Sequence, residues 1–226
     1  MKLATSILVI LVIIGCSTTE SIIRTGDEII FLLDISEPDD DLFHVTVYPP
    51  ALSAANNIYN FVSTAPGVYS ILDYGRLVKS FNTYNMDGDE IKVKQISTNK
   101  WELSDPQQVY KIEYDIEDSY DAGLTENEIS PQCGTGIEEE YAQINIFGVF
   151  GYFEGMQSFS VRLKVDHPDD WIVGTALSAD KFGYYNAETY DHFADSPFLI
   201  GKLSIASTTV NGIEVDVYVH SLSEEM

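Results

Sequence analysis

The sequence predicts an all-β chain, an antiparallel β-sandwich-like domain of two or more packed sheets, and three observations carry that expectation. Apolar residues alternate with polar ones in period two, as in Tyr110, Ile112, Tyr114 and Ile116 set between Lys111, Glu113, Asp115 and Glu117. The same alternation runs through Phe159, Val161, Leu163 and Val165, and again through Ile213, Val215, Val217 and Val219. That spacing is the signature of half-buried strands. Turn dipeptides separate such runs: Asn211-Gly212 between 198–206 and 213–219, and Asp87-Gly88 between 77–84 and 90–96. Asn-Gly and Asp-Gly are strong hairpin signals because both residues tolerate positive φ. After residue 27 no stretch carries a long amphipathic helical pattern.

The chain opens with what reads as a signal peptide over residues 1–15. Lys2 supplies a short positive region, and residues 3–15 are uncharged and mostly aliphatic. As a helix this stretch would reach roughly 20 Å, short of the about 30 Å of a hydrocarbon core. Residues 13–16, Ile-Ile-Gly-Cys, resemble a bacterial lipobox. The resemblance implies a diacylglycerol group on the Cys16 sulfur and cleavage just before it, making Cys16 the link to membrane lipid. A plain secretory signal with an incidental Cys16 is the alternative. Two or more acyl chains give stable anchoring where one gives marginal binding. The chain is therefore expected in a bacterial cell envelope, facing the periplasm or the cell surface. Residues 16–26 form a polar tether, and 27–226 one β domain without internal repeats.

Strands are expected near 28–35, 43–48, 57–62, 68–73, 77–84, 90–96, 109–117, 143–150, 159–166, 198–206 and 213–219. A short helix is expected near 186–194, with Asn186 as its cap. Trp101 and Trp171 are expected to plug the core between sheets. Pro66-Gly67 reads as a turn, with proline fixing its φ and glycine free to adopt a positive one.

Thirty-six acids oppose twelve bases, for a formal charge of −24. A chain so acidic is repelled by phosphate backbones, which excludes nucleic acid as a partner. Anionic headgroups repel it as well, so membrane attachment has to be covalent or hydrophobic. No Lys or Arg lies between Lys111 and Arg162, a block that holds Glu126, Glu128 and Glu138-Glu139-Glu140. This block reads as a solvated acidic surface or as a negative field for a cation such as calcium or a peptide's ammonium terminus. Arg76 is expected to pair with Asp73 or with an acid of this block. Lipidation of Cys16 would leave Cys133 without a disulfide partner, and it reads as an inert, partly buried thiol.

The sequence carries no catalytic motif. A His-Glu-x-x-His helix would set two zinc-binding imidazoles one turn apart around a general base. The histidines are His44, His167, His192 and His220, and none is followed by Glu. His44 and His220 read as strand residues facing solvent or a rim. Gly-x-Ser-x-Gly, a phosphate-cradling loop and a dinucleotide fingerprint are also absent. Residues 85–90 superficially suggest a calcium loop but lack its alternating oxygens and distant Glu. No catalytic residue and no metal ligand is assigned to this sequence.

Several strings resemble, in order, the N-terminal domain of the glycyl aminopeptidase family (peptidase family M-sixty-one), which are secreted gluzincin metallopeptidases. They are Pro66-Gly67-Val68-Tyr69 with Asp73 and Arg76, then Phe81, Asp87-Gly88 and Trp101. Gly151-Tyr152-Phe153-Glu154-Gly155, Trp171-Ile172-Val173-Gly174-Thr175-Ala176-Leu177, Tyr190-Asp191 and Asp195-Ser196-Pro197 complete the series. The resemblance implies a front β module that packs on a catalytic domain in cis, with zinc expected only in that domain and no cofactor in this chain. In the family that domain follows this one, and since this sequence stops at Met226 the chain is expected to be either a fragment or a stand-alone relative that keeps only the front module. It further implies that Glu154, with Tyr152 beside it, contacts the ammonium group of a peptide substrate in a full-length protein. A rim carboxylate is the plainer reading of Glu154. The alternative function is a stand-alone cell-envelope lipoprotein that binds peptide, glycan or calcium.

A Cys16→Ser variant produced in a bacterial host is expected to lose incorporation of a labelled fatty acid and to leave the membrane fraction. Retention of the label by that variant would contradict the lipobox reading.

Overall fold

A computed structural model describes residues 26–65 and 67–221. The signal peptide, Cys16, the tether through residue 25 and Pro66 lie outside the described residues.

The first half supplies β1 (Glu28–Asp34), β2 (Leu42–Tyr48), β3 (Ile58–Asn60), β4 (Val78–Tyr84), β5 (Glu90–Ile91), β6 (Val93–Ser97), β7 (Lys100–Leu103) and β8 (Lys111–Glu117). The second half adds β9 (Gly136–Glu138), β10 (Tyr141–Ile144), a helical turn α1 (Ile146–Val149), β11 (Tyr152–Phe153), β12 (Ser160–Asp166), β13 (Ile172–Gly174) and β14 (Tyr185–Ala187). A second short helix, α2 (Tyr190–Ala194), precedes β15 (Phe198–Gly201), β16 (Ser204–Val210) and β17 (Ile213–Val219).

These strands form a seven-stranded sheet in the order β14-β12-β1-β2-β8-β4-β5 and two four-stranded sheets, β13-β15-β10-β9 and β11-β3-β7-β6. β16 and β17 make a separate two-stranded ribbon. The all-β expectation therefore holds. One pairing departs from the antiparallel scheme: β1 runs parallel to β12, Glu28 opposite Ser160 and Asp34 opposite Asp166. Alternation within a strand fixes which face is buried but carries no information on the direction of a distant partner.

The inner face of the large sheet follows the period-two rule. Phe31, Val47, Val45, Tyr114, Phe81 and Leu163 lie along matched registers, and all but the partly buried Phe81 are buried. The β11-β3-β7-β6 sheet meets it through an aromatic layer. Trp101 stacks on Phe81 at 5.3 Å between ring centroids, and Phe61 meets Trp101 and Tyr114 edge-on, each at 5.1 Å. Offset and edge-on contacts of this kind add to the area that the rings bury. Trp101 and Trp171 are both buried, as expected.

Local departures have local causes. Residues 68–73 form no strand; the N–H groups of Leu72 and Asp73 both donate to the carbonyl of Ser63, closing a loop that leaves Tyr69 and Ile71 exposed. The 143–150 run splits, β10 stopping at Ile144 and α1 following. The helix near 186–194 is shorter than expected, and Thr189 rather than Asn186 caps it by accepting the N–H of His192 at 3.1 Å. Asn211 and Gly212 both take positive φ (52° and 83°) in the tight turn between β16 and β17. Cys133 is buried and forms no disulfide among the described residues.

On the outer face of the large sheet, His44 sits between Asp115 (Nδ1 to Oδ1, 2.7 Å) and Asp40 (Nε2 to Oδ2, 2.8 Å). Burial alone would lower its pKa, but the hydrogen bonds and charges of Asp115 and Asp40 raise it above 6.5. A raised folded-state pKa stabilises most below the unfolded value, and the benefit fades as pH climbs through the folded one. The stability difference between the native protein and a His44→Gln variant, read as urea midpoints, is therefore expected to shrink between about pH 6 and about pH 8. A pH-independent difference would contradict this account.

Candidate functional site

The sequence singles out Tyr152 and Glu154, and the structure positions both from buried tyrosines upward. Burying a phenolic hydroxyl without a partner is costly, so each must find an acceptor or donor. Tyr114 donates its hydroxyl to the Val149 carbonyl at 2.9 Å, and Tyr190 donates to the next carbonyl, Phe150, at 2.6 Å. The Tyr59 hydroxyl lies 3.3 Å from that of Tyr114. Burial pushes the pKa of all three phenols upward, which keeps their protons in place as donors. Two consecutive carbonyls just ahead of Gly151 are thus clamped, while Phe150 and Phe153 anchor the same segment in the core. Gly151 admits no side chain: a Cβ there would lie 2.5 Å from the Asn60 carbonyl oxygen and 2.5 Å from the Tyr59 ring.

From this clamp the chain enters β11, which pairs antiparallel with β3, Tyr152 opposite Asn60 and Phe153 opposite Tyr59. β3 pairs in turn with β7, Asn60 opposite Lys100 and Tyr59 opposite Trp101. Because side chains alternate faces, Phe153, Tyr59 and Trp101 share the core face, and Tyr152, Asn60 and Lys100 form a row on the other. The Glu154 N–H donates to the Ile58 carbonyl at 3.1 Å, and the Asn56 side-chain amide donates to the Glu154 carbonyl at 3.1 Å. Gly155 turns the chain at φ +80°, a conformation suited to glycine.

The result is a polar cleft of about 410 Å³ whose walls include Asn60, Ser63, Lys100, Tyr152, Glu154 and Gln157. Glu154 is exposed at its edge. Burial, and then the Glu154 carboxylate, raises the pKa of Tyr152, whose ring packs 5.1 Å from that of Tyr190. The side-chain nitrogen of Asn60 is buried without a hydrogen-bond partner among the described residues. A carboxylate, a neutral phenol and a lysine in one small cleft can hold a cationic or zwitterionic group through charge-assisted hydrogen bonds.

Structure and sequence expectations agree unevenly elsewhere. Arg76 reaches into the base-free block, yet it donates to the backbone carbonyls of Glu126 and Asn127 rather than to a carboxylate. Asp73 instead accepts from the Ser63 hydroxyl and the Asn99 amide, each at 2.7 Å. A loop carbonyl at the end of a long guanidinium leaves no trace in sequence. The four histidines stay apart: His44 between its two aspartates, His167 on the Pro168 carbonyl, His192 accepting the Glu188 N–H, and His220 stacked 4.4 Å from Tyr141. Among the described residues no three His, Cys, Asp or Glu side chains come together as a metal site. Asn60 and Lys100 were missed as cleft residues, although Asn60 between Tyr59 and Phe61 already had the alternation that sends it to the opposite face. A larger groove of about 730 Å³, between β17 and the β13-β15-β10 sheet, contains none of the expected site residues.

The family model described as the Peptidase M61 N-terminal domain matches residues 31–202. Among solved structures, an aminopeptidase N family protein from Idiomarina loihiensis superposes with a TM-score of 0.73 at 21% identity, covering 84% of this chain and 32% of that one. At that identity the likeness is one of fold. An M1 zinc metallopeptidase mutant from Deinococcus radiodurans, bound to a Tyr-Ser-Ala substrate, superposes with a TM-score of 0.47 at 10% identity, covering 89% and 49%. This chain thus spans less than two thirds of either structure. No curated protein matches it.

Removing the Tyr114 hydroxyl leaves the Val149 carbonyl and the Tyr59 hydroxyl without their buried partner, so Tyr114→Phe is expected to lower stability by about 1–3 kcal/mol. Gly151→Ala should cost a similar amount, about 1–3 kcal/mol, through overpacking. Urea unfolding measures both, and unchanged midpoints would show that the segment before Glu154 is not clamped in this way.

Proposed function

This chain belongs to the Peptidase M61 N-terminal domain family, and from that premise we propose that it is the non-catalytic front module of a membrane-anchored zinc aminopeptidase-like protein. In this reading the module packs on a catalytic domain and forms one wall of the substrate cleft. Zinc and the reacting groups belong to that other domain, and Cys16 ties the assembly to the membrane.

The observation that carries the proposal is the built support under Glu154: two clamped carbonyls, a glycine with no room for a side chain, and a three-strand register. A carboxylate on so rigid a base is suited to orienting a ligand, because little conformational freedom remains to be lost on binding. Its natural counterpart is an ammonium group, the mark of a peptide's free N-terminus. Tyr152, kept protonated, would donate or accept beside it. The surplus of acids adds a long-range field that draws such a cation in.

The test uses the reading frame as its native host expresses it, alongside residues 16–226 alone. The longer form is expected to hydrolyse aminoacyl substrates in a chelator-sensitive manner, and residues 16–226 alone to show no turnover. Glu154→Gln should raise KM about tenfold with kcat little changed, the loss of one charge-assisted hydrogen bond in uniform binding. Chelator-sensitive turnover by residues 16–226 alone would overturn the proposal, and an unchanged KM would remove Glu154 from it.

A further inference from the structure

The β16–β17 ribbon is built like half of an unfinished sheet. Its register places Val210 opposite Ile213, Thr208 opposite Val215, Ala206 opposite Val217 and Ser204 opposite Val219, so these eight side chains share one face. On that face Val210, Ile213, Val215, Val217 and Val219 are between 38% and 68% exposed. The opposite face is moored to the domain, where Tyr218 packs so closely on Gly174 that a Cβ there would lie 2.5 Å from its ring. Among the described residues both strands pair only with each other.

A two-stranded ribbon is marginal in water by itself, and an apolar face with two open edges is an aggregation hazard unless something covers it. Two observations say what does. The ribbon starts at Ser204, just past residue 202 where the match to the family module ends, and the larger structural neighbours carry more than half of their length outside the matched portion. Charge argues against a second copy. The whole chain carries −24, so two copies brought face to face would repel each other.

We infer that the Val210–Ile213–Val215–Val217–Val219 face is the seat for a peptidase domain, which completes the ribbon with an apolar strand face. The inference rests on the proposed function and adds to it the surface through which the two domains join. Burial of five aliphatic side chains supplies the attraction.

Photo-crosslinking in the native host tests it. The probe is p-benzoylphenylalanine, placed at Val217 on the bare face or at Gln157 in the cleft, with a parallel Ile213 position should the Val217 variant melt early. Expected is a Val217 or Ile213 adduct whose second peptide, by mass spectrometry, comes from a peptidase domain in cis or in trans. A self-adduct, an adduct with any other protein, or no adduct overturns the inference. Should Gln157 reach a peptidase domain while the ribbon positions do not, the inference falls and the proposed function stands. Should none of the three reach one, both fall.

Discussion

The hydroxyl groups of Tyr114 and Tyr190, donated to consecutive carbonyls at Val149 and Phe150, are the constraint on which the cleft depends. Each hydroxyl lies in the core, where water cannot take the partner's place, so the pairing carries a penalty for failure far larger than its net gain. Tyr114 belongs to the large sheet, Tyr190 to α2, and the carbonyls they hold to neither. The end of α1 and the residues that follow it are thereby held to both. The tyrosines also explain why so aromatic a chain is not simply greasy: their rings fill the gap between sheets while their tips carry out backbone satisfaction.

Outside the core, the electrostatics follow from a shortage of bases. Arg162 faces both Glu28 and Asp180, and Lys202 faces both Glu140 and Asp170, so each of these two bases is shared between two acids. These pairs are all partly exposed and contribute little each. His44 stands apart because its two nitrogens meet Asp115 on β8 and Asp40 in the turn before β2, and these carboxylates raise its pKa against the effect of burial. Asp118 shows the other solution. It is buried, its pKa is raised by burial, and the N–H groups of Tyr120, Asp121 and Ile137 offset part of the cost.

How much of this was legible depended on whether the signal was local. The alternation in 109–117, 159–166 and 213–219 and the Asn211-Gly212 turn were readable because a strand's two faces and a hairpin's register are set within a few residues. The burial of both tryptophans was readable for the same reason. The strand expected at 68–73 failed because its aliphatic and aromatic residues, Val68, Tyr69 and Ile71, have strand-like composition while the Ser63 carbonyl closes a loop around them. The parallel β1–β12 pairing, the carbonyl partners of Arg76 and the row from Lys100 to Tyr152 all join residues far apart in sequence, where pattern is silent. Glu154 and Tyr152 were identified through a family resemblance, whereas their support by Tyr114 and Tyr190 emerged only from coordinates.

The pairing of Glu28 with Ser160 has a consequence for how the chain reaches this state. β1 is an interior strand of the largest sheet, yet one of its two neighbours is contributed only after well over half of the polypeptide has been made. Until then its edge remains open, exposing Ile29, Phe31 and Leu33 beside unpaired peptide groups. Contacts of such long sequence separation are slow to close and vulnerable to mispairing on the way. Nascent chains shorter than about 160 residues therefore face a period in which a holdase, or rapid synthesis of the remainder, decides between maturation and clumping.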